Sequence, residues 1–232
     1  MLQENRGTWF KYIKNVLKLF IRRPKFIYLG EPVTEPSIII SNHVGASAPL
    51  AWELYFPNQF HFWATHEMSE GVRSVLNYLS NIYFYKKKHW NYVFSHAFSV
   101  IAAPFVTAFY KGLRLIPTYN DHRFRHTISS SIEALKERSC SIIIFPEDSS
   151  EGYYDQMTGF YGGFVLLAER SLKKGFDLPI FLSYFKKAEN TFIIDKPIRY
   201  SELKKKLADR DEMVSVMLKR TNELALLPAH TE

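Results

Sequence analysis

The amino-acid sequence predicts an α/β fold, a mixed, mostly parallel sheet flanked by helices, with an N-terminal amphipathic helix ahead of it. Short, continuously apolar runs are the first reason. Ile38–Ile40, Ser141–Phe145 and Leu178–Tyr184 lack the polar alternation of a half-exposed strand and fit strands buried on both faces. The second is a helical stretch around Phe164–Leu172 between the last two runs, as a strand–helix–strand unit requires. The third is that two runs pass directly into polar residues, Asn42-His43 and Pro146-Glu147, and strand exits are where α/β folds place their chemistry.

The elements follow in order. Trp9 to Arg23 reads as a helix with two unlike faces. Lys11, Lys14, Lys18 and Arg22 recur at spacings of three and four, whereas Trp9, Ile13, Val16, Leu17 and Phe20 fall opposite, and Pro24 stops the helix. A basic face opposite an apolar one also suits a helix lying in a membrane interface. Residues 1–25 are therefore expected to be a membrane-surface helix and 26–232 one α/β domain. Phe26–Leu29 is a short strand candidate, and the Gly30-Glu-Pro and Glu35-Pro-Ser stretches mark loops. Residues 86–117 stay open: a helix pair broken at Pro104 and packed on the sheet, or part of an acyl-chain groove and membrane-facing surface. Ser201–Leu227 reads as one charged amphipathic helix.

Composition narrows the function. A chain of 232 residues, 47% hydrophobic, suffices for one substantial core. Aromatic residues reach 16%, which suits a well-packed core or an interfacial protein. A net charge of +7 fits anionic lipid or a phosphorylated substrate; without a nucleic-acid signature, no nucleic-acid partner is expected. The single Cys140 beside an isoleucine run reads as a buried structural thiol in a reducing compartment. No signal peptide is evident, and no uninterrupted apolar run reaches the roughly 18–20 residues that span a bilayer. The expected location is peripheral, on the cytoplasmic face of a membrane, against an anionic membrane surface.

Four blocks carry chemistry in one order: Ser41-Asn42-His43 with Pro49 six residues after the His; Gly112 with Ile116-Pro117; Phe145-Pro146-Glu147; and Leu178-Pro179-Ile180. Together they resemble the glycerolipid acyltransferase family, whose best-known members acylate lysophosphatidic acid. Its blocks read NH-x4-D-P, a Gly followed by an Ile-Pro or Phe-Ile pair and an Arg, FPEG-T-R-S, and a VPI-like strand. The resemblance covers about residues 36–185 and implies transfer of a fatty acyl group from an acyl-CoA or acyl-carrier-protein thioester to a lipid acceptor hydroxyl. It implies His43 as general base, with Glu147 helping to position the acceptor. Asn42, Asn120, Arg123, Phe145, Pro146, Asp148, Ser149 and Ser150 fall around the substrate. Neither a metal nor a cofactor is needed.

The departures are specific. The residue five after His43 is Ala48 where the family has Asp, although Pro49 keeps the register. A carboxylate behind an imidazole fixes its tautomer and stabilises the imidazolium, a role whose loss costs about four orders of magnitude in an analogous triad. The family's Arg positions fall at Asn120, with Arg123 and Arg125 just beyond, and at Ser150, while Asp148 adds an acid. A phosphomonoester acceptor is disfavoured on those grounds. Three readings remain open: an acyltransferase with a different acceptor and a relocated acid, Asp148 and Glu151 being candidates beside Glu147; a degenerate member that binds acyl chains or lipid without turnover; and an Asp-to-Ala replacement in an otherwise active site. His61, His66 and Glu67 read as solvated or structural rather than as a zinc site, and Asp121-His122 as loop.

Overall fold

The computed structural model describes residues 7–136, 140–148, 155–207 and 209–229. Eight strands form one sheet: β1 Lys25–Tyr28, β2 Ile38–Ser41, β3 Gln59–Thr65, β4 Leu115–Thr118, β5 Cys140–Ile144, β6 Pro179–Lys186, β7 Thr191–Ile194 and β8 Ile198–Arg199. Their order is β1-β7-β6-β2-β5-β3-β4, with β8 also pairing β6. The run β6-β2-β5-β3-β4 is parallel throughout, β7 and β8 are antiparallel to β6, and β1 is parallel to β7. The sheet is mixed and mostly parallel, as the sequence predicts.

The apolar runs become central strands because the sheet is covered on both faces. Along β2, Ile38 and Ile40 enter one core and Ile39 the other; along β5, Ile142 and Ile144 part from Ile143 in the same way. The first core is closed by α5 (Phe124–Lys136), α6 (Gly163–Lys173) and α8 (Arg210–Leu226), which contribute Ile132, Phe164, Leu167, Met213 and Met217. The second is aromatic. There α2 (Ser47–Tyr55) lays Ala48, Ala51 and Trp52 against Phe181, Phe185 and Phe192. Cys140 is buried at the start of β5, consistent with a structural thiol.

Three expectations change. The single C-terminal helix is two, α7 (Tyr200–Lys206) and α8, because the chain leaves helical geometry at Leu207 and restarts where Asp209 caps the Glu212 amide. α1 runs Thr8–Phe20, and its apolar residues divide between two faces: Phe10 is buried and Ile13 and Leu17 half-buried, whereas Tyr12, Val16, Leu19 and Phe20 are exposed. Lys14 turns inward to an ion pair with the buried Glu53 of α2 at 2.9 Å, and Lys18 lies over the Tyr55 ring. Residues 92–112 form one helix, α4 (Tyr92–Gly112), which continues through Pro104 and is long and apolar enough to cross a membrane. The apolar count along the sequence missed it because Ser95, His96, Ser99 and Thr107 interrupt the run. α3 (Val72–Asn77) continues into a π-helical segment, Tyr78–Lys87, and both pack on α4 around Val75, Leu79 and Ala103.

Candidate active site

β2 and β5 are parallel neighbours, so the residues leaving their carboxyl ends meet. After Ser41 the chain turns abruptly: Val44 and Gly45 both take left-handed φ, +44° and +63°. A β-branched residue is rarely held there, and such strain gathers at functional turns. The turn is fastened from both sides. Asn42, buried, accepts from the Phe185 amide at 2.6 Å and donates to the Phe185 carbonyl at 3.1 Å. The Glu147 carboxylate accepts the His43 backbone N–H at 3.0 Å. Phe145 sets its ring 5.0 Å from the His43 ring, with Phe62 behind it.

The Glu147 end is clamped in turn. Beyond β5 the chain pairs briefly with residues 159–161. Glu147 bridges Phe160, the Asp148 amide reaches the Gly159 carbonyl, and the Tyr161 amide reaches the Pro146 carbonyl. The Tyr161 hydroxyl donates to the Asp148 carboxylate at 3.0 Å.

One residue was missed by sequence reasoning. Lys87 ends the π-helical segment, and its charge acts on His43, Glu147 and Asp148 together. The same segment covers the turn: a methyl placed on Gly45 would sit 3.7 Å from both the Lys88 Nζ and the Tyr83 hydroxyl. The three consecutive lysines were visible in the sequence; no local pattern said that the chain returns there after β3.

These neighbours set the protonation states. Burial first and the Lys87 charge second lower His43 to about 4, with hydrogen bonding to the backbone of Gly45 and of His43 opposing both. Burial raises Glu147, against the His43 amide and Lys87. Burial lowers Lys87, against Glu147 and Asp148. At neutral pH the cluster therefore holds an uncharged imidazole, the form a general base needs.

The other candidates from the sequence separate. Asn42 is a fastener: its amide oxygen accepts from the Phe185 N–H and its amide nitrogen donates to the Phe185 carbonyl. Ala48 is fully buried on α2, a methyl in the aromatic core. Asn120 and Arg123 follow β4, three strands from β2, about 14 Å at about 4.8 Å per strand. Arg123 there pairs with Asp121 at 2.8 Å and lies over Tyr119. Ser149, Ser150 and Glu151 lie outside the described residues. Phe145 and Glu147 do meet His43, with Pro146 between them in the chain, and Asp148 shares the Lys87 charge with Glu147. His61 is buried in β3, and His66 contacts Glu67 and Glu70 at 3.2 and 3.8 Å. Among the described residues no group of His, Cys, Asp or Glu is arranged to hold a metal.

On the other side of the turn, an open groove of about 800 Å³ begins at Val44 and runs between the β6–β7 connection and α8. Tyr184, Lys186, Lys187, Leu218 and Lys219 line it. The His43 turn thus has a lysine-bearing helix end on one side and an amphipathic groove on the other.

Neither protein-family models nor curated protein sequences match the chain. Among solved structures it is similar to the crystal structure of the 1-acyl-sn-glycerophosphate (LPA) acyltransferase PlsC from Thermotoga maritima. The similarity covers 99% of this chain and 86% of that one, with a TM-score of 0.50 and 13% sequence identity. At that identity the likeness establishes the fold: this chain has the α/β architecture of that acyltransferase.

Proposed function

We propose that the chain transfers a fatty acyl group from a thioester, acyl-CoA or acyl-carrier protein, to the hydroxyl of a lipid-like acceptor, with His43 as general base. One observation carries the reading. An uncharged, half-buried imidazole sits on a strained turn at the carboxyl edge of two adjacent parallel strands, beside Glu147, in the fold of an acyltransferase. The imidazole takes the acceptor's hydroxyl proton, the oxygen attacks the thioester carbonyl, and the thiolate leaves with that proton. Glu147 positions the turn through the His43 amide. The exposed apolar stripe of α1 supports work at a membrane surface; the cytoplasmic face is the side proposed, from the single free cysteine.

A second reading, binding of acyl chains or lipid without turnover, is favoured by Ala48, whose methyl stands where the resemblance places an orienting carboxylate. Radiolabelled acyl transfer from acyl-CoA to a panel of lysolipids and glycolipids separates the two. The catalytic reading expects product from the wild type and at least a hundredfold less from His43→Ala. Lipid binding without product from any acceptor, or product that His43→Ala leaves intact, would sink it.

A further inference from the structure

We infer that α4 docks the protein on a lipid bilayer, lying along the surface at headgroup depth with its outward face turned to the acyl chains. This stands apart from the acyl-transfer reading and rests on the polarity of the helix. Ser95, Ser99, Ala103 and Thr107, spaced by four, form its buried face, whereas Val93, Phe94, Ile101 and Phe105 are 72%, 58%, 69% and 74% exposed. Water selects the opposite arrangement. Small residues inward, against α3 and the π-helical segment, and large apolar residues outward are what a helix bathed in lipid shows.

The occupant is lipid rather than a protein, because no exposed side chain between Val93 and Ala108 carries a hydrogen-bonding group. Protein interfaces, even obligate ones, carry polar groups that pair, about one hydrogen bond per 100–200 Å². The flanks agree. Tyr85, Trp90 and Tyr92 with Lys86 stand at the start of the helix and Lys111 at its end, as suits a membrane interface with anionic headgroups. The end of α4 is also where α1 packs, with Phe10 of α1 resting on Gly112 and Phe109.

The orientation follows from connectivity. α4 begins just after the segment that brings Lys87 to Glu147 and ends at β4 of the same sheet. Both ends belong to one body on one side of the membrane, so the helix lies flat although 21 residues would be enough to cross. Pro104, exposed, lacks an N–H and releases the Val100 carbonyl. That carbonyl needs water, which is present at headgroup depth and absent from the hydrocarbon centre.

The test is vesicle flotation of the full chain without detergent, with phosphatidylcholine alone and with phosphatidylserine added. The wild type is expected to float with both, in low and high salt. Ile101→Glu/Phe105→Glu should reduce flotation at least roughly tenfold at unchanged circular dichroism, since both sites are already exposed. A nitroxide on Ile101→Cys should become more accessible to oxygen than to a polar relaxant when vesicles are added, a readout that does not need the charged variant to fold. Flotation of the glutamate variant equal to wild type, or a nitroxide that stays in water on bound protein, overturns the inference. So does a wild type that ignores vesicles and runs as a dimer which the variant splits, because a second copy would then cover the face.

Discussion

Lys87 stands where an orienting carboxylate would have the opposite effect on His43. A carboxylate behind an imidazole stabilises the imidazolium; a lysine ammonium nearby penalises it and favours negative charge developing on the oxygen partner instead. With burial it holds His43 near 4, so the acid limb of a kcat/KM profile is expected near pH 4 rather than near 6.5. Lys87→Met should move that limb upward by removing the second of the two lowering causes; an unmoved limb would show that burial alone sets it. The same shift enters stability. The folded value lies below the unfolded one, so the unfolded chain takes up the proton first, and stability present above pH 6.5 is lost as pH falls from 6.5 toward 4. The unfolding free energy of His43→Leu should fall less than that of the wild type across this window. The place of His43 at a strand exit was legible in the sequence because an unbroken isoleucine run ends just before Ser41-Asn42-His43, whereas the role proposed for it rests on the resemblance. Lys87 was not, because its place depends on a helix returning over the turn from more than forty residues away.

At the level of elements, α1 is seated by shape as well as charge. Phe10, fully buried, occupies the space where a side chain on Gly112 would stand; a methyl there would run into the Phe10 ring. Gly112→Ala is therefore expected to cost about 1–3 kcal/mol by overpacking, read as a lower urea midpoint at unchanged m-value, and to loosen α1 from α4. A stability unchanged from wild type would mean that α1 shifts freely on its seat. With Lys14 paired to Glu53 and Lys18 over Tyr55, the basic row read from the sequence is partly spent on the protein. Deleting residues 1–24 should lower vesicle binding, but salt should weaken wild-type binding only modestly, because the exposed stripe of α1 is apolar. The central strands were legible because burial on both faces writes itself as unbroken isoleucine. α4 was not: its polar residues face inward, and Pro104 reads as a break although the helix passes through it. β7 and β8 follow from turn geometry rather than from any periodicity.

For the whole molecule, the sheet order decides which cations reach the acceptor. β4 lies three strands from β2, a separation of about 14 Å between the strands, and Arg123 beyond β4 is already held by Asp121. Asp148 is near that turn, but it is not the uncompensated acid its position in the sequence suggests, since Tyr161 donates to it and Lys87 offsets its charge. Lys87 in turn faces two carboxylates, Glu147 and Asp148. One ammonium shared between two acids leaves little net attraction for a dianionic phosphate, whereas an uncharged hydroxyl-rich head has no such deficit. A dephosphorylated or sugar-headed lysolipid is therefore expected to be acylated at least as fast as its phosphorylated counterpart at equal concentration. Arg123→Ala should leave that ratio unchanged, and Asp148→Asn should shift it toward the phosphorylated acceptor. If the phosphorylated lysolipid is faster and Arg123→Ala or Arg125→Ala removes the preference, the loop after β4 closes over the site and the argument from strand order is wrong. If Lys87→Met removes it instead, the ammonium is committed to the substrate rather than to Glu147 and Asp148.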